Sequence, residues 1–209
     1  MYRTIIIYLA LLIVSTTAPA ANQEWRFRVL LDDKEIGQHD FILQEQDNDL
    51  LLQSEANFEY RLLFVKLYGY EHRATETWSG NCLTGMQSTT DDNGDPYKVS
   101  GELQSGQFIV RGTEGVTEMP ECSMSFAYWN PAFLQEQRLI NIQNGEIVDI
   151  QVSDPAPEQV LVRGELRDSY RYKLQAGEMN IELWYSENNE WLALESEASG
   201  GRRLRYELL

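Results

Sequence analysis

The chain has 209 residues, with 33 Asp and Glu against 17 Lys and Arg, a formal charge of −16, 43% hydrophobic residues, 6 Pro and 2 Cys. That composition is long and apolar enough for a buried core. It excludes intrinsic disorder, collagen, a disulfide-dense mini-protein and a multi-span membrane protein. The acidity argues against nucleic acid and anionic lipid surfaces as partners, because both call for a basic face.

Residues 1–20 read as a secretory signal peptide. Arg3 precedes an apolar run from Thr4 to Val14, and Ala18-Pro19-Ala20 has the A-x-A form of a cleavage site. Eleven apolar residues are too few to span a hydrocarbon core of about 30 Å. Cleavage near Ala20 would leave residues 21–209 as a single β-rich domain, periplasmic or secreted, with no transmembrane segment.

Beyond the leader the hydrophobic period is mostly two. Gly37, in the run that leads to His39, marks a β-bulge or a close backbone approach, and His39 reads as a hydrogen-bonded strand residue. Leu52, Ser54, Ala56, Phe58, Tyr60 and Leu62 alternate with polar neighbours, the pattern of a half-buried strand. In Tyr68–Trp78, alternation puts Tyr68, Tyr70, His72, Ala74, Glu76 and Trp78 on one face. Glu71 and Arg73 fall on the other. Three aromatics with one His and one Glu form either a ligand-binding wall or a structural polar network. Buried polar groups need partners in either case.

Cys82 and Cys122 are the only cysteines. An even count in an oxidising compartment predicts one disulfide. Asp91-Asp92-Asn93-Gly94-Asp95 carries calcium-friendly oxygens but lacks the spacing of a calcium loop and reads as a hairpin turn. No zinc-type spacing, nucleophile elbow or phosphate loop is present, so neither a metal nor a cofactor is expected. Pro120 to Gln137 breaks the alternation. Asn130 before Pro131 predicts a cap on one short helix over 131–137. Phe126, Tyr128, Trp129 and Asn130 form a candidate interaction surface.

Further runs follow at Met179–Tyr185 and Leu204–Leu208, separated by turns such as Ala176-Gly177-Glu178 and Gly200-Gly201. Arg202, Arg203 and Arg205 read as a solvated strand face. The whole predicts an all-β antiparallel meander of roughly 11–12 strands. Its open edges are managed by forming a barrel, a half barrel or a strongly curved sheet.

Several pieces together resemble a family of exported bacterial proteins known only as a domain of unknown function. They include Trp25–Gly37, Tyr70-Glu71-His72-Arg73 with Glu76 and Trp78, Thr90–Gly94, Ser125–Asn130 with its Tyr128-Trp129-Asn130, and Leu204-Arg205-Tyr206. The resemblance implies a periplasmic β-rich protein with no assigned reaction. In outline the chain is also similar to long-sheet periplasmic carriers of lipids and lipoproteins, a likeness of fold alone.

Three functions fit these residues. The first is a non-catalytic module binding a small apolar, amphipathic or lipid-like ligand. The second is an envelope protein with a filled core that binds a protein partner. The third is an enzyme using His72 with a nearby carboxylate, Glu76 or Glu71. An interior cavity favours the first and third, and a packed interior the second.

Overall fold

Fifteen strands make up one antiparallel sheet in the computed structural model, which describes residues 22–46, 49–198 and 200–209. The leader expected at 1–20 lies outside the described residues. The strands are β1 (Gln23–Leu31), β2 (Lys34–Gln46), β3 (Asp49–Leu62), β4 (Val65–Ser79), β5 (Cys82–Asp92), β6 (Asp95–Gln104), β7 (Gln107–Gly112) and β8 (Gly115–Pro120). They continue as β9 (Arg138–Ile140), β10 (Ile147–Val152), β11 (Ala156–Val162), β12 (Glu165–Ala176), β13 (Met179–Tyr185), β14 (Trp191–Ala198) and β15 (Arg202–Leu208).

Two meanders join where β1 pairs with β15, with Phe27 opposite Leu208. The sheet order runs from β8 back to β1, on through β15 to β12, and ends at β10 and β9. β10 and β11 pair with different lengths of the same strand, β12. The sheet curls without closing, since β8 and β9 are its two ends.

Residues 121–137 connect those two ends, and the whole of segment 121–146, with β9 and the turn to β10, lies against the other strands. The Cys82–Cys122 disulfide ties its start to β5, and Leu83 N–H donates to Ser123 O at 3.0 Å beside the bridge. The Ser88 hydroxyl donates to Ile142 O, the Thr90 hydroxyl to Gln143 O at 3.1 Å, and the Tyr185 hydroxyl to Tyr128 O at 2.8 Å. Met124, Ala127, Phe133 and Leu139 of this segment join Phe27, Trp78, Phe108 and Trp191 of the strands in one core cluster. Burying each large side chain contributes about 1.5–3 kcal/mol relative to exposure, so the segment is held by apolar packing as well as by its polar ties.

The helix expected over 131–137 is a shorter 3-10 turn, Pro131–Gln135. Asn130 caps it, its side chain accepting from Ala132 N–H at 3.1 Å. It stops because Glu136 turns extended while its N–H donates back to Phe133 O. Asp91–Asp95 is a hairpin turn in which Asp91 Oδ1 accepts from Gly94 N–H at 2.7 Å. Arg202, Arg203 and Arg205 form exposed or half-exposed ion pairs with Asp32, Asp33, Glu195 and Glu207. Among the described residues no helix is long and apolar enough to cross a membrane.

Candidate functional site

Strand β4 supplies the polar groups of the site. Its alternation holds from Tyr70 to Trp78, so His72, Ala74, Glu76 and Trp78 are buried while Glu71, Arg73 and Thr75 are exposed. On β2 the inward face is set by a bulge. Val29 sits opposite Gly37 and Leu30 opposite Glu35, which leaves Ile36 as the extra residue. After that shift His39 and Phe41 point inward. Gly37 has φ +153°, and a Cβ there would stand 1.9 Å from Asn57 O, so both readings of this glycine apply at once.

These strands, with β3, β15 and segment 121–146, border a partly open cavity of about 180 Å³. Its polar lining is His39, Ser54, His72, Glu76 and Gln143, and its aromatic walls include Phe41, Tyr70, Phe126, Tyr128, Trp129 and Tyr206. At about 30 Å³ per water it holds roughly six waters, the volume of a small molecule or of one end of a longer one. Wider depressions, such as that of about 350 Å³ beside Glu182, Glu195 and Arg203, lie open between surface ion pairs.

Hydrogen bonds fix how the cavity groups are presented. The Thr90 hydroxyl has one proton, and it goes to Gln143 O. His72 Nδ1 lies 2.8 Å from the same hydroxyl oxygen, and both contacts are satisfied together when Nδ1 is protonated and Nε2 carries the lone pair. His39 Nδ1 contacts the Tyr206 hydroxyl at 3.3 Å, while its Nε2 is buried without a partner. The buried indole N–H of Trp129 also lacks a partner. Glu76 Oε2 accepts from the Ser125 hydroxyl at 2.7 Å.

Burial holds both imidazoles neutral. It lowers His39 to about 3, helped by the neighbouring His72, and lowers His72 to about 4. Burial likewise raises Glu76 to about 7, opposed by the Ser125 hydroxyl and by the Trp78 indole. That indole N–H acts on the carboxylate although it meets no hydrogen-bond geometry. Near neutral pH the cavity lining therefore holds two neutral imidazoles and a carboxyl that burial has raised to about 7.

The expected ligand-wall residues divide. Tyr70, His72 and Glu76 line the cavity. Trp78 is fully buried behind it, edge-on to Trp129 with ring centroids 5.6 Å apart. The Tyr68 hydroxyl donates to Asp92 at 2.7 Å, away from the cavity lining. Phe126, Tyr128 and Trp129, expected on an outer surface, turn onto the cavity because the disulfide and the Tyr185–Tyr128 bond draw their segment inward. Asn130 caps the 3-10 turn and donates from Nδ2 to Asn81 Oδ1 at 3.0 Å.

His39, Ser54, Gln143 and Tyr206 were not marked as site residues by sequence reasoning. The bulge signal at Gly37 leads to His39, and the alternation of Leu204, Tyr206 and Leu208 gives the facing of Tyr206. No local pattern places Gln143. Among the described residues no group of three or more His, Cys, Asp or Glu is arranged to hold a metal ion.

Residues 27–209 match the family described as Domain of unknown function (DUF6134). The chain belongs to this family. No curated protein matches the sequence. In fold, this DUF6134 chain is similar to a crystal structure of a beta-barrel-like protein of domain of unknown function DUF1849 from Brucella abortus. The TM-score is 0.60 over 92% of this chain and 97% of that one, at 7% sequence identity. That likeness concerns fold alone and extends over nearly the whole DUF6134 match.

Proposed function

We propose that this protein is a periplasmic, non-catalytic binding module for a small amphipathic ligand. The observation that carries the reading is the cavity of about 180 Å³ whose polar lining, with His39, His72, Glu76 and Gln143, meets aromatic walls. An unpartnered buried donor costs about 1–3 kcal/mol. His39 Nε2 and the Trp129 indole N–H have no protein partner and are covered by protein atoms, so a ligand's polar end would satisfy them after a small shift of the cavity wall. His72 Nε2 would accept from a ligand hydroxyl or protonated group, and Phe126, Tyr128 and Tyr206 would cover the apolar part.

Both imidazoles are held neutral and Glu76 is raised to about 7, so a neutral or weakly acidic polar end fits better than a strong cation or a dianion. His72 and Glu76 hydrogen-bond to different hydroxyls, Thr90 and Ser125, and not to one another. Export to the periplasm is part of the proposal and rests on the leader pattern of residues 1–20.

The test is extraction of protein purified from the periplasm of its own cell. Organic extracts of the denatured protein are analysed by mass spectrometry against a mock preparation. The reading expects one enriched small molecule at near-equimolar yield. Recovery of none, together with failure of small amphipaths to shift the thermal midpoint, would retire it.

A further inference from the structure

The β3–β4 hairpin ends in Leu62-Leu63-Phe64-Val65, with Leu67 beyond. Exposure there is 57% at Leu62, 87% at Leu63, 95% at Phe64, 61% at Val65 and 50% at Leu67. The turn chemistry of the sheet does not call for these residues. Elsewhere two-residue turns use Asp32-Asp33, Asn93-Gly94 and Ser105-Gly106, types that tolerate the left-handed backbone. Here Leu63 takes φ +54°. An uncommon conformation is thus spent on holding apolar side chains at the tip.

The tip also stands clear of the sheet. β5 ends with Asp92 opposite Tyr70, and on the other side β2 begins with Lys34, whose Nζ donates to Arg61 O. The hairpin beyond Arg61 has no flanking strand.

From this geometry we infer that the β3–β4 tip inserts into the interfacial layer of a lipid bilayer and seats the protein on a membrane surface. Three observations select lipid as the occupant. First, residues 60–70 include Arg61 and Lys66 but no carboxylate, in a chain whose formal charge is −16; Glu59, just below, pairs with Arg61 and leaves Lys66 outside that pair. Lys34 adds a third cation at the base of the hairpin, and the Lys66 stem folds back over Gly69. Long basic side chains behind an apolar point match the arrangement that reaches headgroups while the tip enters the acyl boundary.

Second, Tyr60 and Tyr68 are directly opposite one another at the hairpin base. Aromatic residues with polar ends are favoured at that depth of a membrane. Third, the apolar surface is a convex point of five side chains, whereas a standard protein interface engages about 20–30 residues a side. A deformable apolar medium covers such a point, and a second copy meeting it tip to tip would not. The overall acidity, which argues against anionic surfaces for the body of the protein, does not extend to the tip at residues 60–70.

The test is flotation of the protein with phosphatidylethanolamine–phosphatidylglycerol vesicles. It compares wild type, Phe64→Asp, Lys66→Glu and, as a control on a distant exposed leucine, Leu166→Asp. All share one N-terminus, so their differences report the substituted site. Phe64→Asp should lower the vesicle-bound fraction about tenfold or more, the size expected when one Phe is withdrawn from an apolar medium. Lys66→Glu should lower it less and in a salt-dependent way, and Leu166→Asp should float as wild type. Sedimentation without vesicles should show the same mass for all four. Failure of wild type to float, equal flotation of Phe64→Asp, or a wild-type dimer that Phe64→Asp dissociates would overturn the inference. The last result would assign the tip to a second copy.

Discussion

His39 and His72 meet edge-to-face across Ala56 of the intervening strand β3, with ring centroids 6.4 Å apart and planes at 76°. They arrive from β2 and β4, each anchored through Nδ1 to a hydroxyl, Tyr206 for one and Thr90 for the other. Two imidazoles this close and this buried cannot both ionise cheaply, and burial keeps them neutral.

Stability should therefore rise from acid pH toward neutral, with the two imidazoles driving the rise and Glu76 opposing it. His39 at about 3 and His72 at about 4 lie below the unfolded value of 6.5, so the unfolded chain binds more protons below pH 6.5. Their contribution is lost as pH falls through that window. Glu76 at about 7 lies above its unfolded 4.5, so the folded chain keeps a proton that the unfolded chain releases. Its contribution is lost as pH rises from 4.5 to 7. Glu76→Gln should raise stability relative to wild type above pH 7, by on the order of 3 kcal/mol at most, and give no gain below pH 4.5. Thermal midpoints across pH 4–8.5 measure this, and a gain that does not depend on pH would refute it.

Reduction should loosen the cavity segment. The Cys82–Cys122 bridge joins residues 40 apart in sequence, and closing such a loop is worth about 4 kcal/mol in the chain-entropy model. The Cys82→Ala, Cys122→Ala double variant should unfold at markedly lower denaturant. Hydrogen exchange should rise first in 121–130. Unchanged exchange there would show that packing alone holds the segment.

The cavity floor depends on a close crossing of two backbones. A Cβ on Gly112 would stand 2.6 Å from Asn144 O and 2.9 Å from Gly145 Cα. Gly112→Ala must push segment 141–146 away from β7 and with it Ile142 and Gln143, which line the cavity. A cost of roughly 1–3 kcal/mol is expected, with weakened ligand retention. A variant as stable as wild type would mean that the crossing is not held tightly.

Much of the architecture is legible in the sequence because strand alternation is a local property. The facing of Leu52–Phe58, of His72–Trp78 and of Leu204–Leu208 follows from period two alone. The strand total rises from the expected 11–12 to 15 because β7 to β11 are short and irregular. Exposed Thr117 and Glu118 and Pro157 show no clean alternation. The site is less legible because its parts meet through long-range events. Tyr206 reaches His39 only because β15 pairs with β1, and His39 faces inward only past the bulge at Ile36. Phe126, Tyr128 and Trp129 belong to a segment whose direction is set by contacts with β4, β5 and β13, which no local pattern encodes.

The most direct test of ligand binding in this cavity is native mass spectrometry of wild type, His72→Ala and Trp129→Phe, with thermal midpoints on the same samples. Removing His72 leaves Thr90 bonded to Gln143 O, and Trp129→Phe deletes an indole N–H that has no protein partner, so neither strands a buried group. Each should cut ligand occupancy about tenfold, the weight of one buried hydrogen bond of roughly 1–2 kcal/mol, while the ligand-free midpoints stay close to wild type. A wild-type protein with no bound small molecule, or equal occupancy in all three, would contradict a ligand-binding cavity.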